Sequence, residues 1–348
     1  MTDDRAAKKA ARDRMTRTGQ RYTAARRAER SVPAAAVPDE QPFFVALVSY
    51  HGIGPAADRA SVRDARTGQV TALVPEVPGI PRFRTVTAAA GGVFYLTADL
   101  PVRDGRAVTS GTRVFRLAVD SGGQVAELTA LPEDLLPPGT RDVAVTPDGS
   151  LLVYITGELS PAGWLTAATA TVGTATGLRR SYPNPGTGTM TGLSLAADGR
   201  TLAYEWRDAA SGRSAVHVVD ISTAGDWVAD SRRVASYDGG LRDAICPLIS
   251  AGGSAIYLSV PQPEPAGGPH WNQIVELPLA GGQPRILFAL RYTGNPGNSL
   301  YMWTTVCRDQ RGRFLLAFSP GYAHRVDIAA AASARLPFPE GMPFDAAW

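Results

Sequence analysis

From Phe43 onward, short apolar runs alternate with glycine-containing turns, and one form keeps returning. Five stretches share it: residues 84–95, 143–154, 193–204, 246–257 and 305–318. Each has an apolar run, a turn and a second run, closing on Tyr95, Tyr154, Tyr204, Tyr257 or Phe318. Alternation of period two around Asp-Gly or Gly-Gly predicts tight β-hairpins, because glycine enters the positive-φ region at no steric cost. A second alternating hairpin follows each of these, as in residues 114–119 turning at Gly122-Gly123 and 274–279 turning at Gly281-Gly282. Residues 61–74 form another, so there are six second hairpins. Residues 43–50 are left as one strand before them and 341–348 as one segment after them.

The count closes if that last segment supplies the inner strand missing from the first unit. Four strands per unit and six units result, at about 51 residues each, a propeller-like period. A ring closed by pairing both ends leaves no long open edge. The predicted fold is therefore all-β, a six-bladed β-propeller over residues 43–348, with seven blades as the alternative. Ahead of it, Ala6, Ala7, Ala10, Ala11 and Met15 favour helix, Gly19 suits a stop, and Thr23 caps a second helix. Residues 1–31 are read as a basic helical hairpin and residues 32–42, with Pro33, Pro38 and Pro42, as an extended linker.

Charge separates the two parts. Residues 1–31 hold ten basic side chains against four acidic ones, a net of +6 that leaves −3 on residues 32–348. The basic pI of 8.9 therefore belongs to the tail, and the body offers no general nucleic-acid surface. Only two of the 35 basic residues are lysine, the codon signature of a GC-rich bacterium. No apolar stretch approaches the length of a membrane span, and no apolar core of a secretory signal follows the basic residues. Cys246 and Cys307 are too few for a disulfide scaffold or a zinc site. A cytoplasmic monomer is expected.

The segments Val-Thr-Pro-Asp148-Gly149-Ser-Leu-Leu-Val-Tyr154 and Ala-Ala-Asp198-Gly199-Arg-Thr-Leu-Ala-Tyr204 resemble the WD-repeat-like units of TolB-type propellers. The resemblance spans residues 43–348 and implies a non-catalytic interaction platform, often of the cell envelope. The chain departs from it by the basic hairpin and by lacking an export signal. Fold analogy alone does not assign a function.

Few motifs carry chemistry. His51-Gly52-Ile-Gly54-Pro-Ala-Ala57 has the spacing of a dinucleotide fingerprint, but no helix pattern follows, so it reads as a loop. His51, His217, His270 and His324 fall in different units. Asp148 and Asp198 read as turn residues. No catalytic residue, resident metal or cofactor is expected. The constellation of most interest lies at the inner-strand starts. Arg141-Asp142 opens the third blade, Arg242-Asp243 the fifth, and Asp345 the first, so three carboxylates would face one channel mouth from alternate blades. The loops leading in carry Tyr182 and Asn184, Tyr237 and Asp238, and Tyr292 and Asn295. Such oxygen donors form a small-ligand site, or hold calcium in a propeller hydrolase or lactonase using Asp142, Asp243, Asp345 and Asn295. The plainer reading is that each Asp pairs with a neighbouring or cross-channel Arg and holds the blades in register.

The leading functional expectation is a non-catalytic scaffold binding a protein or peptide on its loop face. Residues 99–112 and 261–270 are the expected contact loops. The basic segment (Lys8, Lys9, Arg12, Arg14, Arg17, Arg21, Arg26 and Arg27) acts as a docking element. The calcium-dependent hydrolase is one alternative. A nucleic-acid-associated factor working through the basic tail is the other.

Overall fold

In four blades the inner hairpin turns in the same way. The first turn residue donates its N–H to the carbonyl five residues on and accepts the N–H three residues on: Thr146, Ala196, Ser250 and Asp309 occupy this place. The residue three on is always glycine, and Gly149 shows why: its φ is +67°, a region that L side chains rarely enter. Where the first residue has a side-chain oxygen, that oxygen accepts turn amides as well. Thr146 Oγ1 takes the Leu151 N–H, Ser250 Oγ those of Ser254 and Ala255, and Asp309 Oδ1 those of Arg313 and Phe314.

The structure is a computed structural model. It describes residues 42–49, 58–80, 82–99, 112–132, 135–136, 140–159, 165–182, 188–208, 210–223, 225, 229–237, 247–262, 270–292, 306–319, 322–337 and 342–348. The basic hairpin, the linker up to residue 41 and the loop at 51–57 lie outside these residues. Asp39–Trp348 form one compact unit.

The chain begins with β1 (Phe43–Ser49), β2 (Asp58–Asp64) and β3 (Val70–Leu73). Blade 2 follows as β4 (Phe83–Ala89), β5 (Val93–Asp99), β6 (Thr112–Val119) and β7 (Val125–Ala130). Blade 3 is β8 (Thr140–Val145), β9 (Leu151–Leu159), β10 (Leu165–Gly173) and β11 (Arg179–Tyr182). Blade 4 is β12 (Gly188–Leu195), β13 (Thr201–Asp208), β14 (Ser214–Asp220) and β15 (Arg232–Tyr237). Blade 5 is β16 (Leu248–Ile249), β17 (Ala255–Gln262), β18 (His270–Pro278) and β19 (Arg285–Tyr292). Blade 6 is β20 (Val306–Arg308), β21 (Phe314–Ser319), β22 (Tyr322–Asp327) and β23 (Ala332–Pro337). The last strand, β24 (Met342–Ala347), returns to the first blade, whose order is β24-β1-β2-β3.

The fold is thus a six-bladed all-β propeller, closed by antiparallel pairing of its two ends. Val45 stands opposite Ala347 and Leu47 opposite Asp345, with a bulge beyond Leu47. Six apolar clusters are found among the described residues, one for each boundary between neighbouring blades. The cluster at the closing boundary sets Phe44 and Trp348 of blade 1 against Leu316 and Phe318 of blade 6. Trp348 is 2% exposed and stacks on Phe314, whose ring also carries the Arg325 guanidinium 3.9 Å from its centroid. Burying a tryptophan this fully makes the closure costly to undo, since truncating such a side chain typically loses about 3–5 kcal/mol. Blade contact is equally close at Gly123, where an added Cβ would meet the Phe43 ring of blade 1 at 2.6 Å.

Candidate functional site

The inner strands enclose a cavity of about 390 Å³, to which all six blades contribute. Among the described residues, two carboxylates line it. Asp345 is the fourth residue of the six in β24 and Asp142 the third of the six in β8, on alternate blades. Their surroundings repeat atom for atom. Asp345 Oδ1 accepts the N–H of Ala346 at 2.9 Å, and its Oδ2 accepts that of Val86, in blade 2, at 2.6 Å. Asp142 Oδ1 accepts the N–H of Val143 at 2.9 Å, and its Oδ2 accepts that of Leu193, in blade 4, at 3.0 Å. Each carboxylate therefore clasps the inner strand of the next blade by its backbone. The expected arginine partnership is replaced by amide donors, which suit a carboxylate without bringing a second charge into the cavity.

Other side chains do the same work at other boundaries. Ser194 Oγ of blade 4 accepts the Ile249 N–H of blade 5 at 2.9 Å, and Arg308 Nε of blade 6 donates to the Ile249 carbonyl at 2.7 Å. Past the first blade, Gln310 Nε2 of blade 6 donates to the Ala89 carbonyl of blade 2, which does not adjoin it. None of these three was singled out by the sequence, because their partners are main-chain groups that any residue supplies.

The electrostatics follow from burial. Burial pushes the Asp345 carboxyl up to about 8; the negative charge of Asp142 adds to this, while the amides of Val86 and Ala346 oppose it. Burial raises Asp142 as well, against the amides of Leu193, Val143 and Gly192. Cys307, on β20, is buried, and its thiol is pushed well above the usual range by burial and then by the charges of Asp345 and Asp309. Such a thiol stays protonated and unreactive at neutral pH. Near neutrality Asp345 therefore keeps its proton.

The turn register also locates what the Arg-Asp dipeptides did not. Asp142 lies four residues before the turn residue Thr146; the same count back from Ser250 lands on Cys246, with Asp243 three residues further from the turn. Asp243, Arg242, Asn184, Asp238 and Asn295 lie outside the described residues, as do Cys246 and the basic segment. Arg141 is placed in β8 by its backbone alone. Tyr182, Tyr237 and Tyr292 are the last residues of the outermost strands β11, β15 and β19. Tyr182 is buried at the boundary of blades 3 and 4, donating its hydroxyl to the Ile221 carbonyl at 3.0 Å. Asp148 and Asp198 are turn residues: Asp148 Oδ1 accepts from Ser150 N and Thr146 Oγ1, Asp198 Oδ1 from Arg200 N and Thr201 N. Among the described residues no three His, Cys, Asp or Glu side chains stand together as a metal site. Nor, among them, is any helix long and apolar enough to cross a membrane.

No protein-family description matches the chain, and no curated protein does. Solved structures do. TolB from Acinetobacter baumannii superposes with a TM-score of 0.58 at 14% identity, over 89% of this chain and 67% of that one. A chain of a nidogen–laminin complex superposes at 0.54 with 11% identity, over 88% and 97%. The likeness is one of fold. At these identities the TolB-type propeller architecture is shared, and nothing about activity passes with it.

Proposed function

We propose that residues 43–348 are a non-catalytic platform that binds a protein or peptide partner on one face of the ring. The observation that carries this reading is the distribution of connection lengths. In a radial meander the first-to-second and third-to-fourth strand turns emerge on one face, and the remaining connections on the other. The long segments 50–57, 100–111, 263–269 and 293–305 all belong to the second set, between strands that are themselves described. The six-residue or shorter inner turns belong to the first. A rigid ring with most of its long connections on one face, against residues 221–231 on the other, presents a broad surface that varies without disturbing the blades. The channel carboxylates, whose oxygens accept blade-to-blade amide bonds, support a structural rather than a catalytic role for those groups. One of the two structural neighbours is itself from a protein–protein complex, which accords with this use of the fold.

Site-specific photocrosslinking tests the proposal. A crosslinking residue replacing Ser211, in the β13–β14 turn on the long-connection face, captures the partner in cells. One replacing Arg311, in an inner turn on the opposite face, does not. Equal capture from both faces, or none from Ser211 and from a second position on its face, overturns it.

A further inference from the structure

Blade 4 carries a second cavity, also about 390 Å³, that takes no part in the channel. It runs across β13, β14 and β15, and its lining includes Trp206, Asp208, Arg213, His217, Ser231 and Arg233. Arg233 stands directly opposite His217 in the β14–β15 register, just past a bulge at Val216. His217 is part-buried, stacks on Tyr204 with ring centroids 5.5 Å apart, and has its Nδ1 2.7 Å from Ser231 Oγ. Asp208 is the one carboxylate among the described lining residues, and its Oδ1 accepts both the N–H and the hydroxyl of Ser211 at 2.7 Å. Among the described residues no carboxylate pairs with Arg233.

We propose that this groove binds a phosphate monoester, its oxygens taken by Arg233 and Arg213 with His217 and Ser231 alongside. Arg233 has no carboxylate partner among the described residues, and the single carboxylate of the described lining is already hydrogen-bonded. Arginine forks match phosphate oxygens in geometry as well as charge. The hydroxyl and imidazole supply further donors, and a monoester near neutrality carries about −1.5 to −2 charge with three acceptor oxygens. The side chain of Trp206 offers an apolar wall for whatever the phosphate esterifies. His217 reports on occupancy: burial, and then the charge of Arg233, hold its imidazole below the usual histidine range. A dianion between the two relieves the second effect and raises it. The charged groups facing it are Arg233 on β15, Arg213 at the start of β14 and Asp208 at the end of β13. The site stands on blade 4 alone and does not depend on the platform reading.

NMR of the His217 ring in the full-length protein tests it, with inorganic phosphate, phenyl phosphate and a phosphoserine peptide as probes, each against chloride at equal ionic strength. Expected are saturable shifts, an upward move of the His217 titration, and about tenfold weaker binding in Arg233→Gln, as losing a charge-assisted hydrogen bond implies. Tighter binding of the peptide than of phenyl phosphate assigns the ester to a partner chain, and the reverse to a small molecule. Either order supports the site. Shifts no larger than those in chloride, or undiminished in an Arg233→Gln variant that melts like the parent, overturn it.

Discussion

The propeller fastens its blades twice, near the axis and at the rim, and the two sets of fastenings differ in kind. Near the axis, Asp345, Asp142 and Ser194 accept backbone N–H groups of the next blade from within the channel. At the rim, arginines of the outermost strand reach the carbonyl just past the third strand of the next blade. Arg180 donates to Ile221, Arg232 to Leu279 and Arg285 to Ile328. The task is the same and the solvent is not. An exposed guanidinium that loses its carbonyl finds water, whereas an inner amide that loses its carboxylate stays buried and unsatisfied. The inner set therefore holds most of the polar energy of these fastenings and, through Asp345, a response to pH that the rim arginines lack.

The largest effects are expected at the axis. Asp142→Ala and Asp345→Ala each lose about 1–3 kcal/mol in urea unfolding at pH 6, the cost of orphaning the Leu193 or Val86 amide. A loss below about 0.5 kcal/mol would erase the distinction between axis and rim. Next comes pH. With its folded value raised to about 8, Asp345 keeps a proton that the unfolded chain has already released above its own value near 4. Raising pH through that window therefore costs stability. Asp345→Asn, which carries no titrating group, should show a flatter profile between about pH 5 and 9, measured by thermal melting. Ser194→Ala should lose about 1 kcal/mol with no added pH dependence, since a hydroxyl does the same job without a charge. Smallest are the rim changes. Arg232→Gln and Arg285→Gln should each lose less than about 1 kcal/mol, because both side chains are exposed and water replaces the bond.

Much of the architecture could be read before any coordinates, and particular residues show why. Asp-Gly and Gly-Gly turns with closing aromatics mark hairpins locally, so Gly149 and Gly199 announced their blades, and the unpaired ends at Phe43 and Trp348 forced closure. The carboxylates Asp142 and Asp345 were legible as inner-strand residues. Their partners were not, because a backbone amide leaves no trace in the sequence. Asp243 is aligned with Asp142 through its neighbouring arginine, whereas counting back from the turn residue Ser250 gives Cys246; both lie outside the described residues. The blade 4 groove escaped for a further reason. Its arginines and His217 come from different strands, and the bulge at Val216 shifts the alternation that would have predicted their shared side.

The contrast between axis and rim rests on Asp345 being held in the channel by the next blade's amide. Carbon-13 NMR titration of its carboxyl, beside that of Asp148, measures this directly. For Asp148, partial burial is outweighed by hydrogen bonds from Thr146 and Ser150, so its carboxyl should titrate below the usual range. Asp345 should titrate near 8, and its titration should move when Asp142 is replaced by Asn. Both carboxyls changing together in the ordinary range near pH 4 would contradict the account.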